Sequence, residues 1–250
     1  MNAVKSFSEH QLIALQDDEW LERQRVAGRS VVFCLNSVRS MINNRIDLTA
    51  STLKSETLLL MKTFDCTQAL DKERKYKSSI TFYVNNLFEP VNDSYKFQTG
   101  DIIKIEIGAN YLGAVAKATI TTVKNGLTPS QFEMFSACKK SLNNAITQIK
   151  TDKRLGCVGA GINHVIKNTS FKFASECAGS GLDDNNLFAD PVILSKSQSN
   201  SGIRIQEGMT FTIAPQISLN SNSKTSCCFE KTIFVHKDSV EIITPWSEEN

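Results

Sequence analysis

The sequence lacks any apolar run approaching the roughly 18 residues that cross a bilayer, so we expect no membrane-spanning helix. Residues 1–8 also lack the basic then apolar layout of a secretory signal. A large charge excess is missing too, because 28 Lys and Arg residues face 26 Asp and Glu residues. Bulk electrostatics therefore indicate neither a nucleic acid nor a membrane surface as partner, and we expect a cytoplasmic protein with no membrane contact.

Histidine is scarce, and no CxxC pair exists. The three histidines, at positions 10, 164 and 236, have no metal-ligand spacing among themselves, which excludes a zinc finger or ribbon. The seven cysteines are odd in number and lie mostly within apolar segments. We expect them to pack as small hydrophobic side chains in a reducing compartment.

What is present describes an ordinary globular chain, since 41% of the 250 residues are hydrophobic and 22% are charged. We expect one domain over residues 1–250, with an N-terminal extension over about 1–17. Apolar residues at three- and four-residue steps predict helices, and β-branched runs between polar turns predict strands. The predicted helices cover 19–43, 51–64, 128–149 and about 158–167, and the predicted strands cover 79–84, 101–107, 116–123, 210–219, 229–235 and 239–244.

The start of the third helix carries the clearest local signal. Thr128 is an N-cap hydroxyl, Pro129 suits the first helical position, and Gln131 completes a capping box. Phe132 and Phe135 are expected to be the first residues of the buried face of this helix. The order of two helices then strands, repeated once, predicts an α+β domain of two similar halves.

Five segments, in order along the chain, resemble the type I methionine aminopeptidases and their pita-bread relatives. They are the first-helix motif at 25–29, the strand at 78–85, the strand at 100–106, the strand at 208–213 and the strand at 230–232. The resemblance covers roughly residues 20 to 245. It implies the pita-bread fold, an α+β architecture of two pseudo-symmetric halves with antiparallel strands.

The resemblance also implies a metal site, which this sequence departs from at most positions. In that family two divalent ions are held by two aspartates, one histidine and two glutamates, since hard cations require several anionic oxygens. The matching positions here are Glu106, Lys117, Ser180, Ala214 and Glu230. The family's two catalytic histidines align with about Arg74 and about Ala189. We therefore expect no catalytic residues, no metal and no cofactor, the alternative being one divalent ion such as Mn or Co bound weakly.

Lys117 places a cation where the resemblance implies a bridging carboxylate. A lone buried ammonium costs several kcal/mol of desolvation, so it needs an anionic partner. Our hypothesis is that Glu106, Lys117 and Glu230 form an ion-pair cluster in the cleft, with the ammonium between the two carboxylates.

A basic loop at 72–77 offers a second candidate contact. Its cations are Lys72, Arg74, Lys75 and Lys77. Such a run is typical of a solvated loop, but near the mouth of the implied cleft it also suits RNA phosphate, as on a ribosome, or an acidic partner. Both interpretations remain open.

Three functions follow from these residues. The first is an inactive aminopeptidase-like protein that binds a protein or polypeptide segment at the former active-site cleft. The second is a methionyl aminopeptidase with an atypical metal site. The third is a metal-independent hydrolase or lyase like the creatine-degrading relatives, which use an active-site histidine where Ser180 and Ala189 stand here.

Overall fold

The computed structural model describes residues 13–69, 78–85, 89–220 and 225–247. Its helices are α1 Asp18–Asn44, α2 Ala50–Lys62, α3 Pro129–Thr147 and α4 Gly156–Ile166. Its strands are β1 Thr67–Gln68, β2 Ile80–Val84, β3 Ile102–Tyr111, β4 Ala114–Val123, β5 Lys172–Phe173, β6 Cys177–Asp183, β7 Asn186–Leu194, β8 Thr210–Ile213, β9 Gln216–Ser218, β10 Ser226–Cys228, β11 Lys231–Val235 and β12 Val240–Ile242. The predicted order of two helices then strands, repeated once, is confirmed.

The strands form three antiparallel sheets, and the helices pack against them. In the first half β3 pairs with β1, β2 and β4, and in the second half the main sheet has the order β12-β11-β8-β6-β7. A smaller sheet has the order β10-β9-β5. One hydrophobic cluster includes Val31, Ile105, Phe135 and Phe211, so the two halves share a core.

A short bridge joins the two halves at the edge of β4. Thr119 and Glu230 are antiparallel bridge partners, and the Glu230 amide donates to the Thr119 carbonyl at 2.8 Å. This contact places the residue before β11 beside the middle of β4. The candidate site is built at this junction.

The first helix, α1, packs closely against the second half of the protein. A methyl group at Gly28 would lie 2.4 Å from the Ile243 carbonyl oxygen, so only glycine allows this approach. Gly28 belongs to the 25–29 motif that carried the family resemblance. The glycine of this motif is therefore required by the packing of α1 against the end of β12.

The capping box is confirmed, but one expected buried residue is not. The Thr128 hydroxyl accepts from the Gln131 amide, and the Gln131 side chain accepts from the Thr128 amide at 2.8 Å. Phe132, however, is 55% exposed, so its prediction as a buried residue is wrong. Met134, four residues before Cys138, takes the inward position on the first turns of α3.

Two strand predictions also differ from the structure. The predicted strand at 210–219 is split into β8 and β9 by Ala214 and Pro215, because proline has no amide to donate to a neighbouring strand. The β6–β7 hairpin was not predicted. Its register shifts three times between Cys177 and Asp183, which removes the regular alternation that marks a strand in sequence.

Residues 13–17 of the expected N-terminal extension pack on the second half, whereas residues 1–12 lie outside the described residues. The Gln16 amide donates to the Gly208 carbonyl at 2.8 Å, and Asp17 caps α1. Asp183 accepts from the Gln16 side chain at 3.2 Å, and Asp184 accepts from the Trp20 indole at 3.2 Å. Within the described ranges, no helix has the length and apolar character needed to cross a membrane.

Candidate functional site

The polar positions of β3 and β4 fall on one face of their sheet. Glu106 lies opposite Thr119, and Lys104 lies opposite Thr121, while Lys117 is two residues before Thr119 on β4. Because side chains alternate along a strand, this register brings them to the same side. Glu230 reaches that side from the second half through its bridge to Thr119.

Lys117 and Glu230 form a buried ion pair at this junction. The Lys117 Nζ lies 3.0 Å from Glu230 Oε1, and the two side chains are only 6% and 3% exposed. The same ammonium lies 4.0 Å from the centre of the Phe188 ring, which adds a cation–π contact. A cation therefore occupies the position where the resemblance implies a metal-bridging carboxylate.

Glu230 is held at every polar group. The Thr119 hydroxyl donates to Glu230 Oε2 at 2.6 Å, so each carboxylate oxygen has a partner. The Trp246 indole donates to the Glu230 carbonyl at 2.7 Å. A buried carboxylate with all its oxygens paired is tolerated, whereas removal of one partner is strongly destabilising.

Glu106 pairs with a lysine that the sequence analysis did not single out. Its Oε2 lies 3.9 Å from the Lys104 Nζ, and this ammonium also lies 3.5 Å from the centre of the Tyr83 ring. Among ion pairs within 4.0 Å between described residues, Lys117 has Glu230 and not Glu106. Of the three residues expected to form one cluster, Lys117 and Glu230 thus lie in direct contact, while Glu106 lies beside Lys104. Side chains alternate along a strand, so Lys104, two residues before Glu106, lies on the same face of β3. This alternation was the sequence signal that could have identified Lys104.

Cys228 adjoins the same face but is not a nucleophile there. Its amide and carbonyl both bond the Thr121 hydroxyl, at 3.0 and 2.8 Å. Burial raises the pKa of the Cys228 thiol well above its usual range; Lys104 opposes this, while Glu230 and Glu106 add to it. A thiol held neutral in this way is unreactive.

The remaining aligned positions within the described residues are Ser180, Ala189 and Ala214, which carry no charge. Ser180 is buried, and its hydroxyl donates to the Leu187 carbonyl at 3.2 Å. Ala214 is buried with its amide bonded to the Ala178 carbonyl at 2.8 Å. Ala189 lies opposite Gly181 on the neighbouring strand. Ser180 is therefore used for structure, and neither alanine carries a ligand atom.

The basic loop lies outside the described residues. Lys72, Arg74, Lys75 and Lys77 all fall in the segment 70–77, so the contact proposed for them stays a prediction.

Residues 22–237 match the family model described as metallopeptidase family M24. The chain belongs to this metallopeptidase family. This confirms the resemblance read from the five motifs.

Curated relatives of the M24 chain align along most of its length. The methionine aminopeptidase of Mycoplasma capricolum is 23% identical over 251 residues, which cover 93% of this chain and 98% of that protein. Methionine aminopeptidase 1 of Bacillus subtilis is 25% identical over 185 residues, which cover 68% of this chain and 74% of that protein.

Solved structures share the fold of this M24 chain. The methionine aminopeptidase of Thermotoga maritima has a TM-score of 0.85 at 24% identity, covering 93% of this chain and 99% of that one. The prolidase of Pyrococcus furiosus has a TM-score of 0.76 at 16% identity, covering 94% of this chain and 66% of that one. The predicted α+β pita-bread fold is confirmed.

The expectation of no cofactor is wrong for this family. An M24 protein belongs to a group named as metallopeptidases, so a metal ion is part of the family's chemistry. The residues described at this site nevertheless do not fit a two-ion centre. Lys117 is an ammonium bonded to Glu230, Ala214 has no donor, and in the described parts of the chain no group of three or more His, Cys, Asp or Glu side chains could hold an ion.

Proposed function

We propose that this M24 protein acts as a binding module for a protein or polypeptide segment and does not remove N-terminal methionine. The observation that carries the proposal is the Lys117–Glu230 pair, 3.0 Å apart and buried, at two positions where the resemblance implies metal ligands. A pre-existing cation there opposes the entry of a divalent ion by charge repulsion. The scaffold is kept while the residues for the chemistry are replaced.

The rim beside the site supports a polypeptide as the bound molecule. β7 ends the order of the main second-half sheet, so it pairs on one side among the described strands. Val192 and Leu194 on this strand are 39% and 40% exposed, and Val192 lies opposite Ser180. An edge strand with exposed apolar side chains is a surface on which an extended segment can add.

The predicted cytoplasmic location belongs to the same proposal. All seven cysteines are free, and six of them are buried. Free thiols in this number suit a reducing compartment, where disulfides are rare.

Methionyl aminopeptidase activity is the alternative, favoured by the names of the relatives. The proteins of Mycoplasma capricolum and Bacillus subtilis that align with this chain are both methionine aminopeptidases. The Glu106 and Glu230 carboxylates would be the residues retained for that activity. The two functions differ in one measurable product, free methionine.

A single set of samples distinguishes these functions. The full chain is titrated with an unstructured peptide beginning Met-Ala-Ser, in buffer with Mn²⁺ and then with Co²⁺. Peptide binding is measured by fluorescence anisotropy, and released methionine is measured in the same tubes. We expect saturable binding without methionine release.

The variant Val192→Asp tests whether the binding uses the β7 rim. A charge at this exposed apolar position should weaken binding by about ten-fold, equivalent to about 1.4 kcal/mol. Leu59→Asp is the matched control, because Leu59 is an exposed leucine on α2. Methionine release by the full chain that depends on added Mn²⁺ or Co²⁺ would establish the alternative, and the absence of peptide binding would refute the binding module.

A further inference from the structure

A polar cavity lies at the C-terminal end of α1, lined by residues other than those of the candidate site. Its volume is about 220 Å³, and it is an open pocket bordered by the turn after α1, the segment before β3 and the end of β4. The lining includes three cationic side chains, Arg45, Lys96 and Lys124, and one carboxylate, Asp47. The cavity is therefore small and carries an excess of positive charge.

Lys124 is the buried member of this group. The residue is 6% exposed, and its Nζ donates to the Arg45 carbonyl at 2.9 Å. Among the described residues this carbonyl is its one hydrogen-bond acceptor, and no carboxylate lies within 4.0 Å of the ammonium. An ammonium has three donors, so two of them are left for another ligand.

A structural role as a helix cap explains only part of this arrangement. Arg45 is the C-cap of α1, and a cation at a helix C-terminus interacts favourably with the terminal carbonyls. That contact uses one donor and leaves a buried cation without an anion, although buried charges are normally paired. The helix end disfavours an anion, but this effect is smaller than the desolvation cost of a buried unpaired charge.

The two cations at the rim are held by exposed partners. Lys96 Nζ lies 3.9 Å from Asp47, with the side chains 62% and 83% exposed. Arg45 pairs with Glu56 at 2.6 Å, with the side chains 50% and 31% exposed. Exposed pairs contribute little, so an anion entering the cavity can compete for these cations.

We propose that this cavity is a binding site for a small phosphate-class oxyanion, with Lys124 at its base and Lys96 and Arg45 at its rim. A tetrahedral oxyanion presents oxygens in several directions and can meet three cations on different segments. A carboxylate presents two oxygens in one plane. The site is independent of the cleft between the two halves.

Binding is tested on the full chain with inorganic phosphate and with glycerol phosphate, and acetate serves as the carboxylate probe. Ionic strength is held constant with chloride. Calorimetry measures affinity, and the thermal midpoint should rise with phosphate because the ligand binds the folded state. The two phosphate probes distinguish a free phosphate from a phosphate monoester.

Two variants connect the binding to the cavity. Lys96→Met should weaken phosphate binding by about ten-fold, and Lys124→Met should abolish it. Lys140→Met, a change at an exposed lysine of α3 outside the cavity, should leave the affinity unchanged. If Lys124→Met does not fold, the rim variant Lys96→Met decides.

Loss of affinity in the cavity variants alone supports the site. The absence of saturable phosphate binding overturns it, and so does phosphate binding that Lys96→Met leaves unchanged. Acetate binding without phosphate binding overturns the phosphate class.

Discussion

Arg25–Glu241 and Lys117–Glu230 are two ion pairs between the halves of this protein, and they differ strongly in burial. Arg25 of α1 binds Glu241 of β12 through two nitrogens, at 2.8 and 2.6 Å, with the side chains 32% and 28% exposed. Lys117 binds Glu230 through one contact of 3.0 Å, with the side chains 6% and 3% exposed. The Arg25–Glu241 pair thus has the shorter contacts but is the more exposed of the two.

The comparison shows that the geometry of an ion pair does not decide how much stability is lost when one partner is removed. When Arg25 is removed, water can solvate Glu241, so the loss is small. When Lys117 is removed, Glu230 stays buried without its counter-ion. Burial therefore decides which pair the fold depends on.

The largest effect is expected from Lys117→Met, which keeps an unbranched side chain of similar size and removes the charge. It should lower the free energy of unfolding by about 3 to 5 kcal/mol, because it leaves Glu230 as an unpaired buried carboxylate. Chemical denaturation checks this.

The double variant Lys117→Met with Glu230→Gln should recover most of that loss, since no charge then remains unpaired. Lys140→Met, at an exposed lysine, should change stability by less than about 0.5 kcal/mol. A loss below about 1 kcal/mol in Lys117→Met would mean that the buried Lys117–Glu230 pair contributes no more than a surface pair.

An intermediate effect is expected from Thr119→Val, which removes the hydroxyl bonded to Glu230 Oε2. A hydrogen bond to a buried charge contributes about 1.5 to 3 kcal/mol, so the free energy of unfolding should fall by about 2 kcal/mol. Thr119→Ser keeps the hydroxyl and is the matched variant in denaturant titrations. A larger loss in Thr119→Ser than in Thr119→Val would show that the methyl packing, and not the bond, matters.

The smallest effect is expected for the pH dependence of stability that the partly exposed Arg25–Glu241 pair contributes. The hydrogen bond from Arg25 lowers the pKa of Glu241 below its usual value near 4.5; burial opposes this, and His236 adds to it. A carboxyl with a lowered folded-state pKa contributes stability above its unfolded pKa and loses it as the pH falls through the folded value.

Arg25→Met should therefore lose less stability than the unmodified protein between about pH 6 and about pH 3. We expect the difference to stay below about 1 kcal/mol, because the pair is partly exposed. Unfolding curves at the two pH values measure it. An equal acid loss in both proteins would show that Arg25 does not carry this dependence.

Prediction from sequence succeeded where the signal was local. The helix predicted at 19–43 is observed as Asp18–Asn44, and the Thr128 cap is found as expected. It failed where local pattern and tertiary packing disagree. The β6–β7 hairpin has an irregular register, and Phe132 has the apolar character of a core residue but faces outward.

The candidate site was predictable only through the family motifs. They named Glu106, Lys117 and Glu230, but they did not distribute the partners among them. Lys104, which pairs with Glu106, stood in an ordinary strand sequence with no motif of its own. A pairing between strands depends on register, and register is not written in either strand alone.

The sequence by itself determined the periodicities, the caps, the order of the elements and the kinship with the metallopeptidase family, because each depends on residues close together along the chain. Only the tertiary structure decided that Glu106 lies beside Lys104 and that Lys124 lies at the base of a charged cavity. These arrangements depend on which distant segments meet and on how much water they exclude. Burial then sets the energy of each charge, and no single segment carries that information.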